Sequence, residues 1–538
     1  MLIYKDSGKA LNIIQGGVYI FWNLFPDIIL KNMKLKNKMK NNWDIIGIML
    51  LCTVFFCIML NYAGGRSMWL DEILEIYYIQ TKYSLLDVIK MYANFEDAAP
   101  PLFTIAAYIW YRIVPDANND VWLFLLPMMA TTVGVFVIGM IGRRAYGSKT
   151  GIFCTLYAII FSVTTLSIGI QFRQYAFLFL ASAVTVYFYM KRYQEQGRET
   201  WRTIVLFGIA MTTLPYTHYV AVLVCIGLFI SDIFLFCKKK ITLRCIWSYV
   251  IGAFLFLPWL LLVLRYRKEA ITSFWPQTPT WQTVVNTMRF WVGNNEQGFW
   301  ILLTCIAVLI SILFISIKNK KFEYNKYFLL LNGLWVSVFM ISCVFIQSRF
   351  ITPELSLYVI RYFIPLLPFI FLIMGWGTER VCHSINRMMK RPGRDVQVYI
   401  IIALALTFII GIDTLERIEK DSVTTTEPYR EAAEWLREQE DIYNTDTVVL
   451  MSSYGAPTIE GWVEHYVSKM GEERAYQVLH TRAGNQLETL EKSKFRRIYL
   501  VEFYDALYDS ELEEYLQMNY EMTEECEEYY IKVYNRKD

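Results

Sequence analysis

Of 538 residues, 55% are hydrophobic and 19% charged, against roughly a quarter charged in an ordinary soluble domain. Mean hydropathy is +0.32, and a water-soluble chain of that composition would expose apolar patches too large for it to stay dispersed. The net charge of +3 hides a split: residues 1–420 hold 40 Lys and Arg against 23 Asp and Glu, while residues 421–538 hold 12 against 26.

The chain opens with a basic segment, 1–42, in which Lys31, Lys34, Lys36, Lys38 and Lys40 precede the first apolar run, 43–63. A bilayer core about 30 Å thick takes roughly 20 apolar residues per helical span. Runs of that length recur from Trp43 to Ile412 and then cease. No small-residue cleavage site follows the first run, so it reads as a retained anchor. Lys and Arg favour the cytoplasmic side of a membrane. Residues 1–42 and the basic loops Lys191–Arg202, Lys238–Arg244, Lys318–Lys321 and Arg380–Arg394 are therefore expected in the cytoplasm. That placement puts 64–100, the neighbourhood of Arg173, the turn at His218, segments 265–298 and 347–358, and the whole of 421–538 outside. Arg143, Arg144 and Lys149 fit only if the short stretch 102–114 does not cross, which gives about 11 spans, or about 13 if it does. The expected architecture is a polytopic α-helical membrane domain over 43–420, followed by a small extracytoplasmic domain over 421–538.

That last segment reads as α/β. Tyr429–Gln439 has an apolar face at helical spacing, through Ala432, Ala433, Trp435 and Leu436. Thr447–Met451, Ile498–Phe503 and Tyr529–Val533 are short β-rich runs. His465 and His480 have no partner at a telling spacing and read as surface or packing residues. The ten cysteines form no CxxC pair and show no zinc-type spacing, and they read as packing residues of the membrane.

Polar residues that invite a chemical reading gather at the outer face. The loop 64–100 opens with Ser67-Met68-Trp69-Leu70-Asp71-Glu72, two adjacent carboxylates directly after a membrane exit. A carboxylate shielded by apolar neighbours holds a proton more readily, which suits a general base. The same pair could instead be an acidic mark at a helix end. Asp97-Ala98-Ala99-Pro100-Pro101-Leu102-Phe103 closes the loop, the prolines fixing how the chain re-enters the membrane. Gln171-Phe172-Arg173-Gln174-Tyr175-Ala176 and Arg361-Tyr362-Phe363-Ile364-Pro365-Leu366-Leu367-Pro368 each set an arginine at the membrane edge. Such arginines are costly and usually have a partner, although they can also snorkel to the surface. His218 lies at an outer turn. Arg265 and Arg267 follow Pro258-Trp259 at a span exit, where they could hold a phosphate or anchor to headgroups.

The order WLDE, PPLF, RQYA, PYTHY, LPW, RYFIPLLP resembles the polytopic GT-C glycosyltransferases. The similarity is to the dolichyl-phosphate-mannose protein mannosyltransferases and the bacterial aminoarabinose transferases, and it extends over residues 43–412. The resemblance implies an inverting transfer of a hexosyl or pentosyl group from a polyprenyl-phosphate sugar to a lipid, polymer or protein acceptor, outside the cytoplasm. It assigns Asp71 as the base and Glu72 as its orienting neighbour or as a co-ligand, with Asp71, of a divalent metal. It sets Arg173 and Arg361 near the lipid phosphate. Beside it, Arg265 and Arg267 stay candidates for the same phosphate or for headgroup anchoring, and Tyr175, His218 and Tyr362 are candidates for substrate contact. Two positions depart from the family pattern: Ala99 stands where a histidine often precedes the double proline, and Leu125 where an arginine is common. No cofactor other than that metal, and no nucleic-acid partner, is implied. A transporter or lipid flippase, or a membrane sensor or scaffold, remains an alternative use of many spans. A transporter would carry polar groups near the midplane and often repeated halves, and here the polar residues cluster at one face.

Overall fold

The computed structural model describes residues 42–80, 82–93, 99–117, 119–195, 198–266, 277–389, 395–420, 428–452, 456–467, 477–480, 486–503 and 510–537. Within these, α1 is Trp43–Ala63, the loop after it carries α2 (Leu70–Ile79) and α3 (Leu85–Ala93), and α4 is Leu102–Ile113. The membrane domain continues with α5 (Asp120–Tyr146), α6 (Ser148–Ile160), α7 (Ser162–Gly169), α8 (Tyr175–Gln194), α9 (Trp201–Thr217) and α10 (Val222–Cys237). It is completed by α11 (Ile246–Tyr266), α12 (Trp281–Phe290), α13 (Glu296–Lys318), α14 (Tyr324–Ile346), α15 (Leu367–Met389) and α16 (Asp395–Lys420). Seven helical stretches among the described residues are long and apolar enough to cross a bilayer, while α4, α6 and part of α16 are apolar but shorter. The basic N-terminus 1–41 lies outside the described residues.

Composition alone cannot tell a lipid-facing side of such helices from a protein-facing one, because both are apolar. Packing does. On α1, Ile48, Cys52, Phe55, Met59 and Ala63 are buried in a stripe at spacings of three and four, while Trp43, Met49, Leu50 and Val54 are exposed. Exposed rows such as Phe254, Leu257, Leu261 and Leu264 on α11 would be unsustainable in water. The stretch Ile360–Met388, by contrast, is 83% buried over its most apolar window and forms the centre of the bundle. Small residues let its neighbours approach closely, as is usual between membrane helices. A Cβ on Gly151 of α6 would lie 2.7 Å from the Gly139 carbonyl oxygen and 2.9 Å from the Arg143 nitrogen, both on α5.

A buried polar knot ties α8, α10, α11 and α14 together inside the bundle. Arg192 donates to Asp232, to the Cys245 carbonyl at 3.2 Å and to Ser248 Oγ at 3.4 Å. Tyr189 (3.1 Å) and Tyr249 (2.8 Å) donate to the same Asp232 carboxylate, and Ser231 joins Asn332. With its two charges opposed and hydrogen-bonded to neighbouring helices, this cluster acts as structural glue.

The C-terminal region comprises α17 (Tyr429–Arg437), β1 (Thr447–Ser452), α18 (Ala456–Trp462), β2 (Val478–His480), α19 (Gln486–Ser493), β3 (Arg497–Glu502), α20 (Ser510–Asn519), β4 (Tyr520–Cys526) and β5 (Ile531–Arg536). The sheet order is β2-β1-β3-β5-β4, parallel across β2-β1-β3 and antiparallel through β5 to β4. Central strands β1 and β3 are nearly continuous apolar runs because both of their faces are covered. Edge strand β4 reads YEMTEEC, its exposed glutamates discouraging further pairing. β2 and β4 escape a sequence reading, one for its three-residue length and the other for its charge.

This domain is docked on the first loop. Gly461 of α18 sits so close to the Ile73 carbonyl of α2 that a Cβ there would overlap the oxygen. His465 is not a surface residue: it is buried, its Nε2 2.7 Å from Asp120 Oδ1 at the start of α5. A partner 345 positions away leaves no spacing signal in a sequence.

Candidate active site

After α1 the chain turns at Arg66-Ser67-Met68 and enters α2 through Trp69, whose extended backbone makes it the N-cap. Glu72, three residues on, accepts the Trp69 N–H at 3.0 Å, the return half of a capping box. Its carboxylate is fully buried. Arg66 grips both oxygens, at 3.0 and 2.5 Å, and the Phe172 N–H donates to Oε1 at 2.5 Å. Arg66 also donates to the Ile170 carbonyl at 2.8 Å. Burial pushes the Glu72 carboxyl up, and Arg66 with the two backbone N–H groups opposes that shift. Glu72 thus pins α2 to the segment that carries Arg173.

Asp71 precedes Glu72 and points about 100° away around the helix. Its Oδ2 lies 3.4 Å from Arg173 Nη2 and 3.9 Å from Arg361 Nη2. Arg173 also donates to the Asp71 carbonyl at 2.9 Å. The three side chains are partly open, 26% exposed for Asp71, 13% for Arg173 and 31% for Arg361, so a ligand can reach them. The Arg361 guanidinium stands over the rings of Trp69 (5.8 Å) and Tyr175 (5.5 Å). His218 packs 4.2 Å from the Tyr362 ring and 6.3 Å from that of Tyr175. Its imidazole is pushed down to about 3 by burial, with Arg361 and Arg173 adding repulsion, and is therefore neutral at pH 7.

Four separate segments thus converge, and they bring together Asp71, Arg173, Tyr175, His218, Arg361 and Tyr362. Trp69 Nε1, His218 Nδ1 and Arg361 Nε are buried there without a hydrogen-bond partner among the described residues. Buried polar atoms are ordinarily satisfied, and this set, beside two guanidiniums, suits an oxygen-rich anion. Arg265 is not among these contacts; it lies exposed in the last turn of α11. Arg267 falls outside the described residues.

Sequence reasoning missed Arg66, Trp69 and Glu75. Glu75 is buried one turn beyond Asp71 and accepts from Thr104, which is linked to Tyr92 at 2.6 Å. Thr104 directly follows Pro100-Pro101-Leu102-Phe103, and Phe103 meets Phe172 edge to face at 5.4 Å. The double-proline turn therefore closes the loop onto α2 and onto the Arg173 segment. Glu75 was detectable as the residue four positions after Asp71, on the same helix face.

The residues do not suit a divalent metal shared by Asp71 and Glu72. Both Glu72 oxygens are engaged by Arg66 and backbone N–H groups, and Asp71 faces two guanidiniums. A cation there would meet positive charge on two sides. Among the described residues no group of three or more His, Cys, Asp and Glu side chains is placed to hold an ion.

No family model and no curated protein matches the sequence. Solved structures do match. ArnT from Cupriavidus metallidurans in the apo state superposes with a TM-score of 0.53 at 11% identity, over 92% of this chain and 98% of that one. The same protein bound to undecaprenyl phosphate gives 0.52 at 11% identity, over 90% and 97%. The chain therefore shares the fold of ArnT. The match runs through the C-terminal domain as well as the helical bundle, since it spans nine-tenths of the chain. That is the fold expected from the motif order; among the described residues it has seven clear candidate spans, and a count of 11 to 13 does not emerge from helix length and composition.

Proposed function

We propose that this chain is a glycosyltransferase that moves a sugar from a polyprenyl phosphate to an acceptor at the extracytoplasmic face of the membrane. The carrying observation is the partly open triad of Asp71, Arg173 and Arg361, with unsatisfied polar atoms around it. Arg173 and Arg361 bind the phosphate of the donor. As its oxygens draw the guanidiniums, Asp71 is released to face the acceptor. The acceptor hydroxyl or amine attacks the anomeric carbon while Asp71 takes its proton. The bond between that carbon and the phosphate oxygen breaks, and polyprenyl phosphate leaves. The arginines stabilise the charge that develops on it, an electrostatic contribution made by preorganised donors. A single displacement inverts the anomeric centre. Tyr175, Tyr362 and the neutral His218 form the wall against the sugar. Glu72 does not touch substrate in this reading; it fixes where Asp71 points. The undecaprenyl phosphate bound by the similarly folded ArnT supports a lipid phosphate as the ligand class.

The test is transfer by purified protein from a synthetic polyprenyl-phosphate sugar, with lipid-linked sugar consumed and polyprenyl phosphate released. Efficient transfer from a nucleotide sugar with no lipid donor present would refute this reading.

A further inference from the structure

We propose that the C-terminal domain completes the active site by holding the strand of chain that leads into Asp71, with Tyr466 and Asp120 as positioning residues. This rests on the glycosyltransferase reading for the word active, but the contacts themselves do not. Tyr466 is buried, accepts the Met68 N–H at 3.2 Å and donates its own proton to Asp120 Oδ2 at 2.9 Å. Asp120 is 3% exposed and is further engaged by His465 at 2.7 Å and Arg430 at 3.3 Å. The Arg430 N–H donates to Ser67 Oγ at 3.1 Å. Two consecutive residues of the lead-in, Ser67 and Met68, four and three positions before Asp71, are thus held by a backbone N–H and a side chain of the C-terminal domain, respectively. The third tie is Gly461 against the Ile73 carbonyl, two positions after it.

The arrangement exceeds what mere docking needs. A domain resting on a membrane bundle requires buried area and a polar rim, which the exposed Lys82–Glu460 pair at 2.7 Å exemplifies. Here a carboxylate from the membrane helix α5 is buried beneath the domain with two cationic or ring partners and a phenol. The phenol spends its two hydrogen-bonding roles on that carboxylate and on the Met68 amide. Arg66 and Glu72 hold α2 from the membrane side, and Tyr466 with Asp120 holds its entry from the outer side. Asp71 lies between the two clamps, and a displacement near 1 Å of a reacting group costs on the order of 100-fold in rate.

The experiment uses full-length protein in detergent or nanodiscs and compares Tyr466→Phe, Asp120→Asn and the rim control Lys82→Met. Tyr466→Phe removes one hydroxyl and keeps the ring, so it tests the tie even if Asp120→Asn fails to fold. Expected for Tyr466→Phe is a kcat lowered about 10- to 100-fold, a KM for the lipid-linked sugar within about two-fold of wild type, and faster amide exchange confined to residues 66–80. Lys82→Met is expected to match wild type, as exposed ion pairs contribute little. Unchanged exchange at 66–80 in Tyr466→Phe would show that the domain does not hold the loop. Faster exchange with wild-type kcat would show that it holds the loop without positioning Asp71; either result overturns the proposal. A wild-type protein inactive with every lipid donor would instead overturn the functional reading, and the exchange measurement would still decide whether the domain holds the loop.

Discussion

Asp71 and Glu72 are neighbours in sequence and opposites in environment. One is partly exposed between two guanidiniums, while the other is sealed against Arg66 and two amides. Substitution should separate them. Asp71→Asn keeps the shape and loses the proton acceptor, so turnover should fall about 10²- to 10⁴-fold with polyprenyl-phosphate binding retained. Glu72→Gln leaves the Arg66 cation buried and half paired, which costs about 3–5 kcal/mol. The expected sign is a lowered unfolding midpoint, read by a thermal assay, with lost activity following lost structure. Arg361→Ala and Arg173→Ala should weaken binding of polyprenyl phosphate while leaving the protein inserted; unchanged affinity in both would mean that they only anchor the membrane edge. His218 gives a pH dependence whose direction can be fixed. Its folded value, about 3, lies below the ordinary value of 6.5, so the unfolded chain takes up a proton that the folded one refuses. Its contribution is present in full above 6.5 and is lost as pH falls from there toward 3. Thermal midpoints measured at pH 7.5 and pH 5 should therefore drop more for wild type than for His218→Gln.

At the scale of elements, the site depends on two short helices that no span-finding argument would rank. α2 and α4 are held together by Glu75, Thr104 and Tyr92, and the prolines at 100 and 101 aim α4 back at α2. The spans behind them approach one another through small residues. Gly151 meets backbone and side-chain atoms of α5 at 2.7–2.9 Å from a built Cβ, so Gly151→Val must push α5 and α6 apart. Overpacking of this kind costs about 1–3 kcal/mol, and it should appear as lower yield and a lower unfolding midpoint, with donor affinity of the surviving protein close to wild type. An unchanged midpoint would mean that this helix pair yields without strain.

For the whole molecule, the domain docked on α2 must lie on the same side of the membrane as the loop 64–80. The charge split and the basic loops make that the outer side, an expectation that one experiment settles. With Cys526, partly buried in the domain, replaced by Ser, a cysteine at exposed position 518 should react with a membrane-impermeant maleimide in intact cells. Reaction only after lysis would reverse the orientation and remove the active site from the outer compartment.

The membrane class, the α/β nature of 421–538 and most of the polar cluster were legible in the residues alone. Each of those signals is local or is carried by composition. Apolar runs of bilayer length cannot fold in water, Asp71 and Glu72 follow a membrane exit, and Arg173 and Arg361 are charges in apolar surroundings that call for a partner. Tertiary structure alone decided which partner each charge has. Arg361 stands 290 positions from Asp71 and His465 stands 345 from Asp120, and contacts at such separations have no period to read. It also decided which of two adjacent carboxylates is open and which is sealed. That outcome follows from the 100° turn between successive helix residues and from what the rest of the bundle places on either side.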